Sequence, residues 1–213
     1  MTTEQDFFRQ VMGCFTTGVT VVTTNNQGKP SGLTVSSFTS LSLDPPLVLI
    51  CVDKASHTLP HLRESKIFAA NFLTAKQAHL SRCFAMPSED RFEHFCYVTY
   101  HTAATGAPIL DDILAFVDTR LIAEYPGGDH VILVGQVEAM GTAGRATFAS
   151  EEGQAQSTLV DYYEYTAHAS NGSKPREDLA PLVYYRGQYY HLANDYSEPS
   201  LGETQDTNVS RDR

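Results

Sequence analysis

The clearest pattern in the chain is an alternation of polar and apolar residues between positions 32 and 42, followed by a purely apolar run. Successive side chains of a strand point to opposite faces. One face therefore collects small hydroxyls and a single aromatic ring: Thr34, Ser36, Phe38 and Ser40. Pro45 and Pro46 end this first segment, because proline has no N–H and restricts the residue before it. The run Leu47–Val52 then predicts a buried strand.

Elsewhere the pattern predicts many strands and a few short helices. Strands are expected over 19–24, 32–42, 47–52, 67–73, 114–125 and 130–140, a bent strand or hairpin over 182–192, and helices over 6–15, 57–65 and 75–84. The apolar spacing of the first helix predicts that it packs on a barrel. Thr74 and Gln77 have the spacing of a helix start. These elements favour an α+β fold, mainly β, built on an antiparallel barrel with short flanking helices.

Length and composition indicate one domain. The 213 residues, 42% of them hydrophobic, suffice for one sizeable core. We expect this domain to cover residues 1–192, and the polar segment 193–213 to be a disordered tail.

Charge and targeting signals narrow the partners. The net charge is -10 and no Lys/Arg cluster occurs, which argues against nucleic-acid or membrane binding and favours a small-molecule ligand. No run approaches a membrane span, and residues 1–6 lack the features of a secretory signal, so a cytoplasmic location is expected.

Cysteines and short motifs exclude several enzyme classes. Cys14, Cys51, Cys83 and Cys96 show no Cys-x-x-Cys spacing, so neither a metal site nor a disulfide is predicted. His-Glu-x-x-His, Gly-x-Ser-x-Gly, phosphate-loop and Gly-x-Gly-x-x-Gly patterns are all absent. Zinc hydrolases, serine esterases and Rossmann dehydrogenases therefore lose their main support.

Taken singly, the candidate site residues leave two readings open. A hydroxyl-rich strand face is typical of a solvated surface, Phe38 also suits a core, and Lys54 also suits an ordinary surface position. His130, which follows Gly128 and Asp129, suits a turn as well as a catalytic site. The alternative is a slot for a flat, polar cofactor, whose phosphate Lys54 would hold.

The order of several motifs makes the second reading the stronger one. The segments concerned are Gly18–Thr24, Gly32–Ser56, Asp53–Thr58, Phe68–Leu73 with Gln77 and Leu80, Gly128–Gly135 and Pro181–Leu192. Together, over residues 6–140 and 181–192, they resemble the short-chain NAD(P)H:flavin oxidoreductases, the reductase components of two-component flavin monooxygenases. The resemblance implies the FMN-binding split β-barrel, a Greek-key antiparallel barrel that generally pairs face to face as a homodimer.

The resemblance also implies a site. FMN or FAD would be the cofactor, NADH or NADPH the co-substrate, and an oxygenase a possible partner. The cofactor-binding residues would be Thr34, Ser36, Ser37, Phe38, Ser40, Cys51, Asp53, Lys54, Ser56, Thr58, Asn71, Phe72, Gln77 and Arg186. His130 would be the catalytic residue and would position the nicotinamide, because hydride transfer to a flavin needs orientation and no protein nucleophile.

Two alternatives remain within this resemblance. The protein would either bind a flavin without turnover, or use tightly bound FMN directly on a small substrate. The second alternative draws on residues 141–180, which are longer than the usual link and are suited to form a lid. Within them, Leu159–Tyr165 is expected to form a helix with a tyrosine face.

Overall fold

The computed structural model describes residues 3–142, 145–148, 158–161 and 180–191. Four α-helices lie in these ranges: α1 Glu4–Met12, α2 Thr58–Ser65, α3 Ala78–Ala85 and α4 Glu89–Phe92. Two 3-10 turns cover Ala75–Gln77 and Phe95–Tyr97. The strands are β1 Thr17–Gly18, β2 Thr20–Asn26, β3 Lys29–Val35, β4 Thr39–Leu43, β5 Pro46–Asp53, β6 Ile67–Phe72, β7 Tyr100–Thr102, β8 Pro108–Leu110, β9 Ala115–Gly127, β10 His130–Thr142, β11 Arg145–Phe148, β12 Thr158–Asp161, β13 Leu182–Tyr185 and β14 Gln188–His191.

A nine-stranded antiparallel sheet forms the body of the fold. Seven strands follow the order β12-β11-β10-β9-β6-β2-β3, β5 pairs with β10, and β4 pairs with β5. The long strand β10 pairs with β9 along one edge, and divides its other edge between β5 at His130–Gln136 and β11 at Ala139–Thr142. The sheet therefore branches at β10. The first half of this strand pairs with the β4–β5 hairpin, and the second half pairs with β11.

Two apolar clusters pack against this sheet. One gathers residues of β2, α3 and β8 around Phe84, Ile109 and Phe116. The other gathers residues of β5, α2 and β10 around Ile50 and Phe68. Gly135 in β10 lets the strand pass close to Phe68, because a Cβ at that position would lie 2.7 Å from the ring of Phe68.

Local signals explain several element boundaries. Thr3 and Asp6 form a capping box at the start of α1, each side chain accepting a hydrogen bond from the other residue's backbone N–H at 3.2 Å. The same motif joins Thr74 and Gln77, as their spacing predicts. Gly128, with φ of +71°, forms the turn between β9 and β10, a backbone conformation that favours glycine.

The structure corrects several predicted elements. The strand expected over 32–42 breaks between Val35 and Thr39, so its hydroxyls do not line one continuous face. The helix expected over 75–84 divides into the first 3-10 turn and α3. The helix expected over 159–165 is wrong at 159–161, which belong to β12, whereas 162–165 and the tail 193–213 lie outside the described residues.

Helix α1 also differs from its expected role. None of its residues is buried, and Phe7, Phe8, Val11 and Met12 are each about half or more exposed. Its apolar stripe is real, but within the described part of the chain it does not pack into the core.

The prediction that no cysteine pair forms a disulfide is wrong. Cys83 at the end of α3 is bonded to Cys96 in the second 3-10 turn. These residues are 13 positions apart and meet only because the segment between them, which contains α4, folds back on α3. Spacing rules for short motifs do not detect such a pair.

No helix in the described part of the chain is long and apolar enough to cross a membrane. Likewise, no group of three or more His, Cys, Asp or Glu side chains in the described ranges could hold a metal ion.

Candidate functional site

The end of the β5–β10 pair carries the best-placed polar residues. Alternation along β5 buries Val52 and turns Cys51 and Asp53 to the opposite, open face. His130 lies opposite Asp53 and Ile132 opposite Cys51 in the ladder. Residues that face each other across an antiparallel pair share a face. Four side chains from the two strands therefore meet on the open face.

The loop between β3 and β4 borders this face. Beyond Leu49, β5 has lost its β4 partner, and the hydroxyl of Ser37 takes its place. The Ser37 Oγ accepts a hydrogen bond from the Cys51 backbone N–H and donates one to the Cys51 carbonyl, both at 3.0 Å. Two hydrogen bonds thus hold residues 36–38 beside the end of β5.

The turn after β5 is tied to the turn before β10. The backbone N–H of Lys54 donates to the Asp129 carbonyl at 3.0 Å, and the Lys54 ammonium donates to the Gly128 carbonyl. The Asp53 carboxylate accepts from the Ala55 N–H at 2.8 Å, which closes the turn. These contacts place an exposed lysine at the rim of the open face.

His130 is held by its neighbour. Its Nδ1 lies 2.8 Å from the Asp129 carboxylate, and about two fifths of the side chain is exposed. The hydrogen bond from the ring lowers the pKa of the Asp129 carboxyl. The imidazole is therefore oriented but still accessible, as a residue that positions a ligand must be.

Three further predicted residues lie near this loop or on β4. Ser36 is exposed, and no described residue forms a hydrogen bond with its hydroxyl. Ser40 is exposed on β4 opposite Val48. Phe38 is half-buried, meets the edge of Phe72 at 4.9 Å between ring centroids, and also packs against the core.

Several predicted site residues have interior roles instead. Asn71 is fully buried: its amide donates to the Val21 carbonyl and to Thr23 Oγ1 at 3.0 Å, and accepts from the Leu110 N–H at 2.8 Å. The nitrogen and the oxygen of its amide thus both form hydrogen bonds inside the protein. The structure therefore places Asn71 in the sheet interior and not at an open ring edge.

Thr34, Thr58 and Gln77 are engaged in the same way. The Thr34 hydroxyl donates to the Ser81 carbonyl at 2.7 Å, and the Thr58 hydroxyl donates to the Gly32 carbonyl at 3.1 Å. Gln77 caps the turn after Thr74. Their side chains hold helices against the sheet. Ser56, by contrast, is half-buried and its hydroxyl accepts from the Thr58 N–H at 3.3 Å.

Arg186 lies apart from the other predicted residues. It is in the turn between β13 and β14, which belong to a separate three-stranded sheet with β1. Its backbone N–H donates to the Gly13 carbonyl at 2.9 Å, and its guanidinium lies 3.7 Å from the Cys14 sulfur. Within one chain, Arg186 therefore belongs to the surface near α1.

Sequence reasoning missed two buried charged residues. Asp118 on β9 is fully buried and accepts hydrogen bonds from the Thr105 hydroxyl and N–H; burial raises its pKa to about 6. Arg91 on α4 is buried and bonds to Gly32 and Thr58. No motif singles out either residue, because both acquire their surroundings only through distant contacts.

A cavity of about 360 Å³ opens elsewhere, between the Ala75–Gln77 turn, α3 and the segment after Cys96. Its lining residues are Thr74, Lys76, Gln77, His79, Leu80, Cys96, Tyr97, Val98, Thr99, Asp111 and Asp112. Gln77 is the single member of the predicted site among them. The polar residues at the end of β5 and this cavity thus lie in different places in one chain.

Similarity to known proteins shows which family the chain belongs to. The family of flavin reductase like domains matches residues 12–193. The chain belongs to this family. The resemblance inferred from its motifs is confirmed, and its activity class is that of an NAD(P)H:flavin oxidoreductase.

Individual relatives agree with this assignment. A probable flavin reductase of Rhizobium meliloti is 42% identical over 137 residues, which cover 64% of this chain but only 43% of the relative. The chain therefore spans less than half the length of that protein. The reductase subunit HsaB of a flavin-dependent monooxygenase from Mycobacterium tuberculosis is 31% identical over 193 residues, covering 91% of this chain and 85% of the subunit.

Solved structures confirm the fold. A homolog of nitrilotriacetate monooxygenase component B from Mycobacterium thermoresistibile superposes with a TM-score of 0.71 at 31% identity, covering 95% of this chain and 94% of that one. The NADH:FAD oxidoreductase SgcE6 of Streptomyces globisporus, solved with NAD and FAD fragments, gives 0.68 at 29% identity, covering 91% and 96%. The split-barrel prediction is correct.

Proposed function

We propose that the protein binds FMN or FAD at the open face of the β5–β10 pair and reduces it with NADH or NADPH. The observation that carries this proposal is the convergence of Ser36, Asp53, Lys54 and His130 at one edge of a rigid sheet. They come from three separate segments of the chain. Such a cluster beside a core of packed strands is suited to hold a ligand in one orientation.

The donors fit the chemistry of a flavin. Ser36 offers an exposed hydroxyl with no internal partner among the described residues, and backbone groups of the loop are fixed by Ser37. Lys54 and Ser56 offer a cation and a hydroxyl, as a ribityl phosphate requires. The side chains of Thr34, Thr58, Asn71 and Gln77 contribute by shaping the scaffold.

The flavin would supply the redox chemistry, taking a hydride from the reduced nicotinamide. The protein's share is then orientation and exclusion of competing contacts. His130, fixed by Asp129 and partly exposed, is placed to orient the nicotinamide over the cofactor.

The proposal is tested by titrating the purified protein with FMN and FAD and following flavin fluorescence, then by measuring NADH and NADPH oxidation with each flavin. We expect quenching at micromolar flavin and steady-state turnover with at least one pair. Binding without turnover would support the non-catalytic alternative. Absence of both would end the proposal.

A homodimer is part of the proposal. The exposed apolar side chains of α1 continue at Phe15, and the nearby hairpin β13–β14 exposes Tyr184 and Tyr190. Contacts from Arg186 to Gly13 and Cys14 join these two regions into one surface. An apolar surface of this kind favours burial against a second copy.

Light scattering tests the dimer directly. We expect twice the mass of one chain for the wild type, and a shift toward one chain for Phe8→Glu, which places a charge on the exposed apolar stripe. Lys29→Glu, at an exposed position of β3 outside this apolar surface, serves as the control. A monomeric wild type at working concentration would contradict the dimer.

We further propose that a monooxygenase consumes the reduced flavin. The support is that relatives covering most of the chain are reductase subunits of flavin-dependent monooxygenases. A released flavin needs a site from which it can leave, and Ser36, Asp53 and Lys54 are exposed. Repeated gel filtration of the flavin-loaded protein should remove most of the cofactor; retention would favour a resident prosthetic group.

A further inference from the structure

Arg91 joins the two segments that lead into the proposed flavin site. Its Nε donates to the Gly32 carbonyl at 3.0 Å, and its Nη2 donates to the Thr58 hydroxyl at 3.1 Å. Gly32 lies on β3, which runs to the Ser36 loop, and Thr58 begins α2 directly after the turn that holds Lys54 and Ser56. One guanidinium therefore connects the two segments that border the proposed site.

The charge of Arg91 has no carboxylate partner among the described residues. The side chain is only 8% exposed, and its third contact, at 3.5 Å, is to the Met86 carbonyl. Burial lowers the pKa of the guanidinium, but arginine remains charged in proteins. A buried cation that bonds only neutral oxygens leaves a net positive potential around it.

That potential lies next to the proposed phosphate end of the site. Arg91 reaches Thr58 Oγ1, and the Thr58 N–H donates to the Ser56 hydroxyl at 3.3 Å. The protein carries a net charge of -10, so an anionic flavin needs a local positive field to approach. Lys54 provides an exposed charge, which salt screens, whereas a buried charge is screened much less.

The position of Arg91 is itself fixed from a distance. Ser88 caps α4 and accepts from the Arg91 N–H at 3.3 Å, and Phe92 meets the edge of His57 at 5.1 Å between ring centroids. The Cys83–Cys96 disulfide closes the segment that carries α4 against α3. The guanidinium is thus held by contacts on both sides of its helix.

We propose that Arg91 is a positioning residue that gives the site its affinity for the phosphate of the flavin, both through its buried charge and by holding Thr58 in place. This inference rests on the proposed function. It adds to Lys54 and Ser56 a cation that does not touch the ligand. Recognition of the phosphate then depends on a buried residue that lies behind the open face.

The test compares FMN with riboflavin, which has the same ring and ribityl chain but no phosphate. Dissociation constants are measured by fluorescence quenching for the wild type, Arg91→Met and Arg91→Lys. We expect the wild type to prefer FMN, Arg91→Met to lose at least about fivefold of that preference, and Arg91→Lys to keep most of it. Arg63→Met, which removes an exposed arginine of α2, should leave the preference unchanged.

A purely structural role gives a different result, because weakened packing would lower the affinity for both ligands by the same factor. An unchanged FMN preference in folded Arg91→Met would overturn the inference, and so would a wild type that binds both ligands equally. If Arg91→Met does not fold, Arg91→Gln, which keeps hydrogen-bond donors without the charge, carries the same comparison. Failure of the proposed function would appear separately, as a wild type that neither binds nor reduces flavin.

Discussion

The polar residues of this protein divide into two groups of similar chemistry and opposite roles. The interior network consists of Thr23, Thr58, Asn71 and Asp118, each no more than 1% exposed and each bonded to strands or loops around it. The open rim consists of Ser36, Asp53, Lys54 and His130, all exposed or partly exposed. Residue type therefore does not distinguish the two groups. The difference is that the interior residues use their polar atoms in hydrogen bonds within the protein, whereas the rim residues are accessible to a ligand.

The interior network should dominate stability. Asn71→Ala removes three hydrogen bonds and leaves the buried Leu110 N–H without its partner, so we expect a loss of about 4 kcal/mol in the free energy of unfolding. Urea denaturation measures it. Asn26→Ala, which loses one surface bond to Glu64, should cost less than about 1 kcal/mol. A similar loss in both variants would erase the distinction between the two groups.

The interior network should also set the pH dependence of stability. Burial raises the pKa of Asp118 from its ordinary 3.8 to about 6, so the folded protein holds this proton more tightly than the unfolded chain. Proton binding by Asp118 therefore adds about 3 kcal/mol to the free energy of unfolding below about pH 4. This contribution is lost as the pH rises through about 6.

The variant Asp118→Asn isolates this effect, because an amide cannot titrate. The free energy of unfolding of the wild type, minus that of the variant, should fall between pH 4 and 6.5 and then level off. Denaturation curves at five pH values across this range give the difference. A difference that rises with pH would mean that the hydrogen bonds from Thr105 outweigh the burial of the carboxyl.

The open rim should affect turnover more than stability. His130→Ala should lower kcat/KM for the reduced nicotinamide by up to about 10²-fold through lost orientation, with flavin affinity and melting temperature near those of the wild type. His94→Ala, at an exposed histidine outside the rim, is the control. A joint loss of melting temperature and flavin affinity would instead assign His130 to the turn.

Ser36 and Ser37 provide the finest comparison, since they are neighbours with different surroundings. Ser36→Ala should weaken flavin binding by about 1 kcal/mol without changing stability. Ser37→Ala should lower stability by about 1 to 2 kcal/mol, because it leaves the Cys51 backbone without a partner. Measuring melting temperature and flavin affinity for both variants distinguishes the two serines. If both variants behaved identically, the assignment of Ser36 to the site and Ser37 to the scaffold would be contradicted.

Much of the fold was predictable because its signals are local. The apolar run Leu47–Val52 and the alternation in 114–125 and 130–140 correspond to β5, β9 and β10 within a few residues. Thr74 and Gln77 form the capping box that their spacing predicts. Family membership also followed from the order of motifs, because each motif occupies a fixed place along the chain.

The site was only partly predictable, because its residues are selected by what packs against them. Asn71 lies near the end of a predicted strand as a ligand residue would, yet its amide bonds to β2 and to the end of β8. Thr58 follows Lys54 and Ser56 in the expected phosphate turn, yet its hydroxyl belongs to the sheet. Both residues were predicted as ligands from their positions in the sequence, but their side chains form hydrogen bonds inside the protein instead.

By itself, the sequence determined the period of several strands, the turns at Gly128 and Pro45, the Thr74–Gln77 cap and the family, since each depends on neighbours along the chain. The tertiary structure alone decided the Cys83–Cys96 pair, the burial of Arg91 and Asp118, and the meeting of His130 with Asp53. These depend on contacts between distant segments. Burial removes water and leaves each polar group dependent on the partners that the fold provides, so the same residue types become scaffold in one place and site in another.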